Sequence, residues 1–290
     1  MPLLAALIRF VMPSLLSIKI FARRQAVKLE SLFCKLLVAA SFRQQLIHPR
    51  VVFVTQYYQP SNPSRFEEIK DCILHNVHQS WIDTSVLVCD PGSKPDLDFG
   101  TRDTIVVQTR SRPSFYDLIR SALMHIKDEN TILVIANSDI FLDPLIDRII
   151  PFVRNDDFIA LTRYETPDSL FPYMQESGSP GEISRSQDAW IFKAGLINST
   201  LLESLKGLPI GVLGCENILA NHFYESGAKI SNPCTNIRII HNHRSCVRSY
   251  TKDQRLTGVY SFPRTQSTEQ FILGRRLQAV QLHIHDIEDI

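Results

Sequence analysis

The stretch Ala136-Asn137-Ser138-Asp139 closes Thr131–Ile135, one of the most apolar short runs in a chain of 290 residues. A carboxylate just past a buried strand can hold a divalent cation, which in turn can neutralise a diphosphate. Such a cation prefers oxygen ligands, and takes imidazole if it is manganese. Asp139 could equally cap the turn that follows. His241 and His243 stand two apart on a strand-like segment, so both can face one side. Each is open to two readings, metal ligand or solvated polar strand end. Glu216 falls in the first turn of a helix, where the dipole favours the ionised form. An ionised carboxylate in a crevice can accept a proton from a hydroxyl, and dipole compensation alone would also explain the residue. Gln187 and Asp188 directly precede an apolar run, with Trp190 two residues after the aspartate.

These groups need elements to position them. VVFVT (51–55), TSVLVC (84–89), TIVVQ (104–108), TILVIA (131–136) and FIALT (158–162) read as strands. Helical patterns fall between them. Ser64 and Glu67 suggest a capping box ahead of the face Phe66, Ile69, Ile73 and Val77. Ser114 and Asp117 open a helix carrying Leu118, Ile119, Ala122 and Ile126, and Asp143-Pro144 opens one to about Val153. This alternation predicts a mostly parallel α/β sheet with helices on both faces. Ligands bind such sheets beyond the carboxyl ends of the strands. There the sequence places Gln56, Tyr57, Asp90, Arg110, Arg112, Asn137, Ser138, Asp139, Arg163, His241 and His243. Further on, 164–187 reads as a long loop and AWIFK (189–193) as a strand. Cys215 to Ser226 reads as a helix closed by Gly227, and NIRII (236–240) as a strand.

Three segments are expected: a helical segment 1–49, a domain 50–262 and a tail 263–290. The first is apolar but interrupted by Arg9, Pro13, Lys19, Arg23 and Arg24. No uncharged run approaches the roughly 18–20 residues of a spanning helix, and the charges follow the apolar part, unlike a signal peptide. It fits an amphipathic helix on a membrane surface or a partner, or one packed on its own domain. The balance of 31 basic and 30 acidic side chains argues against general nucleic-acid binding. The six cysteines form no C-x-x-C pair. They read as buried free thiols in a reducing, cytoplasmic setting, with peripheral contact to the cytoplasmic face of a membrane through residues 1–49. G-x-S-x-G, P-loop and G-x-G-x-x-G motifs are absent, which counts against serine hydrolases, P-loop NTPases and classical dinucleotide enzymes.

In order, VVFVTQYY, ANSDIFLD, ALTRYE, SQDAWIFK, GCENILA, SNPCTNIRIIHNH and VRSY resemble a family of GT-A-like glycosyltransferases, over roughly residues 50–250. The resemblance implies a mixed, mostly parallel sheet and transfer of a sugar from a nucleotide-diphosphate sugar to an acceptor hydroxyl on a glycan, lipid or protein. It implies Mn²⁺ or Mg²⁺ on Asp139, completed by His241 or His243. Asn137 stands where the family motif usually has a first aspartate, which implies weaker dependence on the metal. The resemblance further implies donor contacts from Thr55, Asp90, Arg112, Asp117, Asn137, Ser138 and Arg163. Gln187, Trp190 and Asn217 would lie on the acceptor or sugar side. The resemblance leaves inverting and retaining transfer both open; in an inverting reaction Glu216 would be the catalytic base, with Asp188 as the alternative, although relatives often carry Asp-Asn where this chain has Glu216-Asn217. Two other readings stand beside it. One is a non-catalytic GT-A-like glycan-binding or scaffold protein, which the Asn137 departure favours. The other is a nucleotidyltransferase, which would show a Gly-rich basic loop after the first strand, where this chain has QYYQPSNPSR.

Overall fold

The computed structural model describes residues 48–175, 179–245, 251–274 and 279–284. Residues 1–47 of the expected helical segment, Cys34, Cys246 and the VRSY motif lie outside the described residues. Runs rich in β-branched side chains form the first strands of a sheet. They are β1 (Val51–Tyr57), β2 (Thr84–Cys89), β3 (Asp103–Gln108) and β4 (Ile132–Ala136). The two-residue β5 (Ile140–Phe141) follows, then β6 (Asp157–Leu161), β7 (Ala189–Lys193), β8 (Lys229–Ser231) and β9 (Ile240–His241). Seven of these strands pair in the order β3-β2-β1-β4-β7-β6-β8. All neighbours run parallel except β7, which is antiparallel to both β4 and β6. This is the mixed, mostly parallel sheet that the strand-helix alternation predicts.

That reversal places the site. Parallel strands β1, β2 and β4 deliver the residues after their carboxyl ends to one edge. Because β7 runs backwards, its start comes to that same edge: Ala189 registers with Ala136 of β4 and with Leu161 of β6. Asn137, Arg163 and Asp188, far apart in sequence, therefore become neighbours. Two apolar layers sandwich the sheet. One collects Val51, Phe53, Val134 and Ile191 under helix α1 (Pro63–Val77). The other collects Val52, Val54, Leu133 and Phe192 under α2 (Phe115–Leu123), α3 (Ser199–Ser204) and α4 (Cys215–Glu225). Phe223 of α4 stacks on Phe158 of β6 with ring centroids 3.8 Å apart, a contact that fixes α4 against the sheet.

Several local expectations change. The start of α1 is set by Asn62, whose side chain accepts from the Arg65 amide at 3.0 Å, and not by Ser64 and Glu67. Pro63 then falls at the first helical position, where its missing N–H costs nothing. The segment after Asp143 forms two short 3₁₀ turns, Pro144–Arg148 and Ile150–Phe152, in place of one α-helix. Pro151 lacks the N–H that a continuous helix would use. Only Ile240 of the expected 236–240 strand pairs in β9. Past residue 257, β10 (Gly258–Phe262) pairs antiparallel with β11 (Val280–Ile284), and α5 (Thr268–Ile272) buries Phe271 in the first apolar layer. The described cysteines Cys72, Cys89, Cys215 and Cys234 are buried free thiols. Among the described residues no helix is long and apolar enough to cross a membrane.

Helix α4 begins at Gly214 with φ +88°, a left-handed conformation that glycine adopts without penalty. A Cβ there would lie 1.9 Å from the Tyr260 hydroxyl, which donates to the Leu256 carbonyl. Gly214→Ala must strain the backbone and displace Tyr260. Chemical denaturation should show a loss of roughly 2–4 kcal/mol, and a loss within about 0.5 kcal/mol would contradict this packing.

Candidate active site at the carboxyl edge of the sheet

A cavity of about 470 Å³ opens at this edge. Of the residues expected in a site, Arg112, Asn137, Ser138, Asp139, Arg163, Asp188, Trp190, Glu216, His241 and His243 line it. One wall is charged. The other is apolar, made of Phe115, Leu118, Trp190 and the turn Ile210–Leu213 that leads into α4.

Five expected residues are placed elsewhere. Thr55 is fully buried and its hydroxyl donates to the Ala136 carbonyl at 2.9 Å, bracing β1 against β4. Asp117 closes the capping box at the start of α2, accepting from the Ser114 amide at 2.9 Å and hydroxyl at 2.6 Å. Asp90 meets the cavity only through Gln56, whose Nε2 donates to it at 2.5 Å. Gln187 and Asn217 bond to each other at 2.9 Å behind the cavity wall. In all five, a structural hydrogen bond takes the polar group.

On the charged wall β5 pairs with β9, which brings His241 opposite Ile140 and beside Asp139. His241 Nε2 lies 3.2 Å from Asp139 Oδ2, and Nδ1 lies 3.2 Å from Glu165 Oε2. Burial would lower the imidazole pKa, but these two carboxylate contacts raise it to about 9. Asp139 also accepts from Arg65 Nη2. Burial alone would raise its pKa; the His241 bond and charge and the Arg65 guanidinium hold it well below the usual carboxylate range. Arg65 itself reaches Glu68 at 3.1 Å and the Asn242 carbonyl at 3.2 Å. Arg163 joins Glu165 at 2.8 Å to Asp188 at 2.9 Å and lies 4.2 Å from the Tyr173 ring. Sequence reasoning placed Gln56 at a strand end but did not find Arg65, Glu165 or Tyr58. Glu165 sits inside the quoted ALTRYE motif, the only sign that pointed near it.

Asp139, His241 and His243 each offer a ligand atom, all within 4.8 Å of one another. One carboxylate oxygen and two imidazole nitrogens fit Mn²⁺ better than the oxygen-seeking Mg²⁺. Asn137 adds no carboxylate: its Nδ2 donates to Asp188 Oδ1 at 3.1 Å. Across the cavity Glu216 is held differently. Its side chain meets the Cys215 thiol at 3.4 Å and its own backbone amide. Burial pushes its carboxyl up to about 7; its own amide opposes the shift and the Asp188 charge adds to it. The helix N-terminus was expected to keep Glu216 ionised, and here desolvation outweighs the dipole. Asp188, by contrast, accepts from Arg163, Asn137 and Ser186.

No protein-family model matches the chain, and no curated protein matches it. Solved structures do. A mannosyltransferase from Pyrobaculum calidifontis, in complex with GDP-Man and Mn²⁺, is 15% identical with a TM-score of 0.43. The match covers 67% of this chain and 57% of that one, so this chain spans little more than half of its length. A 4-diphosphocytidyl-2C-methyl-D-erythritol synthase from Anaerococcus prevotii is 11% identical, TM-score 0.43, covering 72% of this chain and 93% of that one. The inositol-1-phosphate CTP transferase of T. maritima is 10% identical, TM-score 0.43, covering 70% and 93%. Each is a likeness of fold.

The desolvation of Glu216 at the cavity wall should be visible in stability. Its pKa of about 7 in the folded chain lies above the ordinary 4.5. Between those values the folded state keeps a proton that the unfolded state has released, so stability falls as pH rises through that window. Glu216→Gln removes the effect. The melting temperature of the variant should therefore gain on the wild type between pH 5 and pH 8, corresponding to at most about 3 kcal/mol. A difference that stays constant with pH would contradict the desolvated, proton-holding environment.

Proposed function

We propose that this chain is a glycosyltransferase that moves a sugar from a nucleotide-diphosphate sugar to an acceptor hydroxyl on a glycan, lipid or protein. The observation that carries the reading is the placement of Glu216 in one cavity with the Asp139, His241 and His243 trio. A carboxyl with a pKa of about 7 is matched to proton transfer near neutrality. Glu216 takes the proton of the acceptor hydroxyl, and the oxygen attacks the anomeric carbon from the face opposite the leaving diphosphate. The product then has inverted configuration. Asp188 is the weaker candidate for base, since three donors already hold it; its role is to fix Arg163 and Asn137. Arg112, anchored to the Ile210 carbonyl at 2.8 Å, presents positive charge at the cavity rim. A divalent ion bound by Asp139, His241 and His243 supplies electrostatic stabilisation of the leaving diphosphate. The apolar wall gives the sugar and acceptor a surface to stack on. A cytoplasmic location belongs to the same proposal.

One observation favours a second reading. The bond from Asn137 to Asp188 makes a structural strut where a second acidic ligand would serve catalysis, which suits a GT-A-like module that binds donor or glycan without turnover.

Thermal melts against nucleoside diphosphates and sugar nucleotides, with and without Mn²⁺, test the binding part. A ligand at about 100 times its Kd adds roughly 2.7 kcal/mol. One nucleotide should stabilise the wild type in Mn²⁺, and Asp139→Ala should lose that gain. With the donor so named, Glu216→Gln should lower kcat by roughly 10²–10⁴-fold while still binding donor. No stabilisation by any nucleotide would overturn the reading, and binding without turnover would select the second one.

A further inference from the structure

We propose that Arg65 occupies Asp139 in place of a divalent ion, and so makes ion uptake conditional on an arriving diphosphate. The inference rests on the metal and diphosphate part of the transferase reading.

Arg65 is a built cation at this site. It stands in the first turn of α1, its amide bonded to the Asn62 cap, and its side chain is only 8% exposed. Nη1 is fixed from behind by Glu68 at 3.1 Å and by the Asn242 carbonyl at 3.2 Å. Glu68 is itself held, accepting from the Ser245 amide at 2.5 Å and hydroxyl at 2.9 Å. The guanidinium therefore has its place whether or not Asp139 is bonded to it, and its Nη2 points at Asp139.

Asp139 Oδ2 receives both Arg65 Nη2 and His241 Nε2. The same carboxylate is the one acidic member of the Asp139, His241 and His243 trio. An ion on Asp139 must displace a guanidinium hydrogen bond and stand beside a fixed positive charge in a poorly solvated wall, where like charges repel strongly. A second carboxylate in the trio would offset that repulsion, but Asp139 is its one acid, and the nearby Asn137 is an amide that donates to Asp188. A diphosphate removes the conflict. It brings the missing negative charge, and the planar guanidinium fork matches phosphate oxygens as well as it matches a carboxylate. With Nη2 bonded to phosphate and Nη1 still on Glu68, Asp139 is open to the ion.

Manganese binding tests this without any turnover, by the loss of the free Mn²⁺ paramagnetic resonance signal on titration into the full chain. Arg65→Gln should bind Mn²⁺ alone roughly tenfold or more tightly than the wild type. Arg65→Lys, which keeps the charge, should stay near the wild type, and Asp139→Asn added to Arg65→Gln should abolish the gain. Equal or weaker Mn²⁺ binding by folded Arg65→Gln would overturn the proposal. The wild type provides a check that needs no variant: an Mn²⁺ Kd of about 10 μM or below with no phosphate present would overturn it as well. Failure of the transferase reading would appear separately, as the absence of nucleotide stabilisation in the melts described above.

Discussion

A chain of alternating charges crosses the carboxyl edge of the sheet, and the rest of the site depends on it. It runs Glu68, Arg65, Asp139, His241, Glu165, Arg163, Asp188, each bonded to the next. These groups come from α1, the turn after β4, β9, the loop after β6, and the residue before β7. An apolar sheet can hold ionised groups at its edge only if each is paired and hydrogen-bonded, because removing a charge from water costs several kcal/mol. The alternation meets that condition. It also means that a change in one member is felt by its neighbours: deleting Asp139, for instance, leaves Arg65 only Glu68 and the Asn242 carbonyl, and leaves His241 only Glu165.

The chain of pairs works together with the apolar framework. The two-residue β5 is held from both sides, by its pairing with β9 and by Asn76 of α1, which donates to the Ile140 carbonyl at 2.8 Å and accepts from the Leu142 amide at 2.9 Å. Asp139, one residue before β5, inherits that rigidity. On the opposite wall, Gly214 lets the chain turn sharply into α4 beneath Tyr260, which sets Glu216 at the cavity. Glu216 is the acidic group left outside the alternating chain, and that exclusion is why its carboxyl behaves so differently from that of Asp139.

Much of the fold was legible in the sequence, because buried parallel strands read as unbroken apolar runs. The strands ending at Tyr57, Cys89 and Ala136 were all in that pattern. Candidate residues taken from the ends of these runs reached the cavity where the side chain had no local partner, as with Asp139, whose partners Arg65 and His241 are distant in sequence. They missed it where a local hydrogen bond claimed the group, as with Asp117 and its Ser114 cap. Arg65 was not legible at all. It lies in the first turn of an ordinary amphipathic helix, and its partner Asp139 is 74 residues away. Glu165 and His241, 76 residues apart, meet for the same reason of topology. The antiparallel reversal of β7, which brings Asp188 to the site, also leaves no mark on a period-based reading, since AWIFK looks the same in either direction.

The central claim is that Asp139, His241 and His243 share an ion with a diphosphate facing Glu216. Anomalous diffraction at the manganese edge tests it most directly, on crystals grown with Mn²⁺ and the nucleoside diphosphate that stabilises the protein. The account predicts one anomalous peak within coordination distance of Asp139 and His243, with diphosphate density beside it and the Arg65 guanidinium turned toward phosphate. A diphosphate bound away from Asp139, or an ordered nucleotide with Arg65 still bonded to Asp139 and no anomalous peak at the trio, would contradict it.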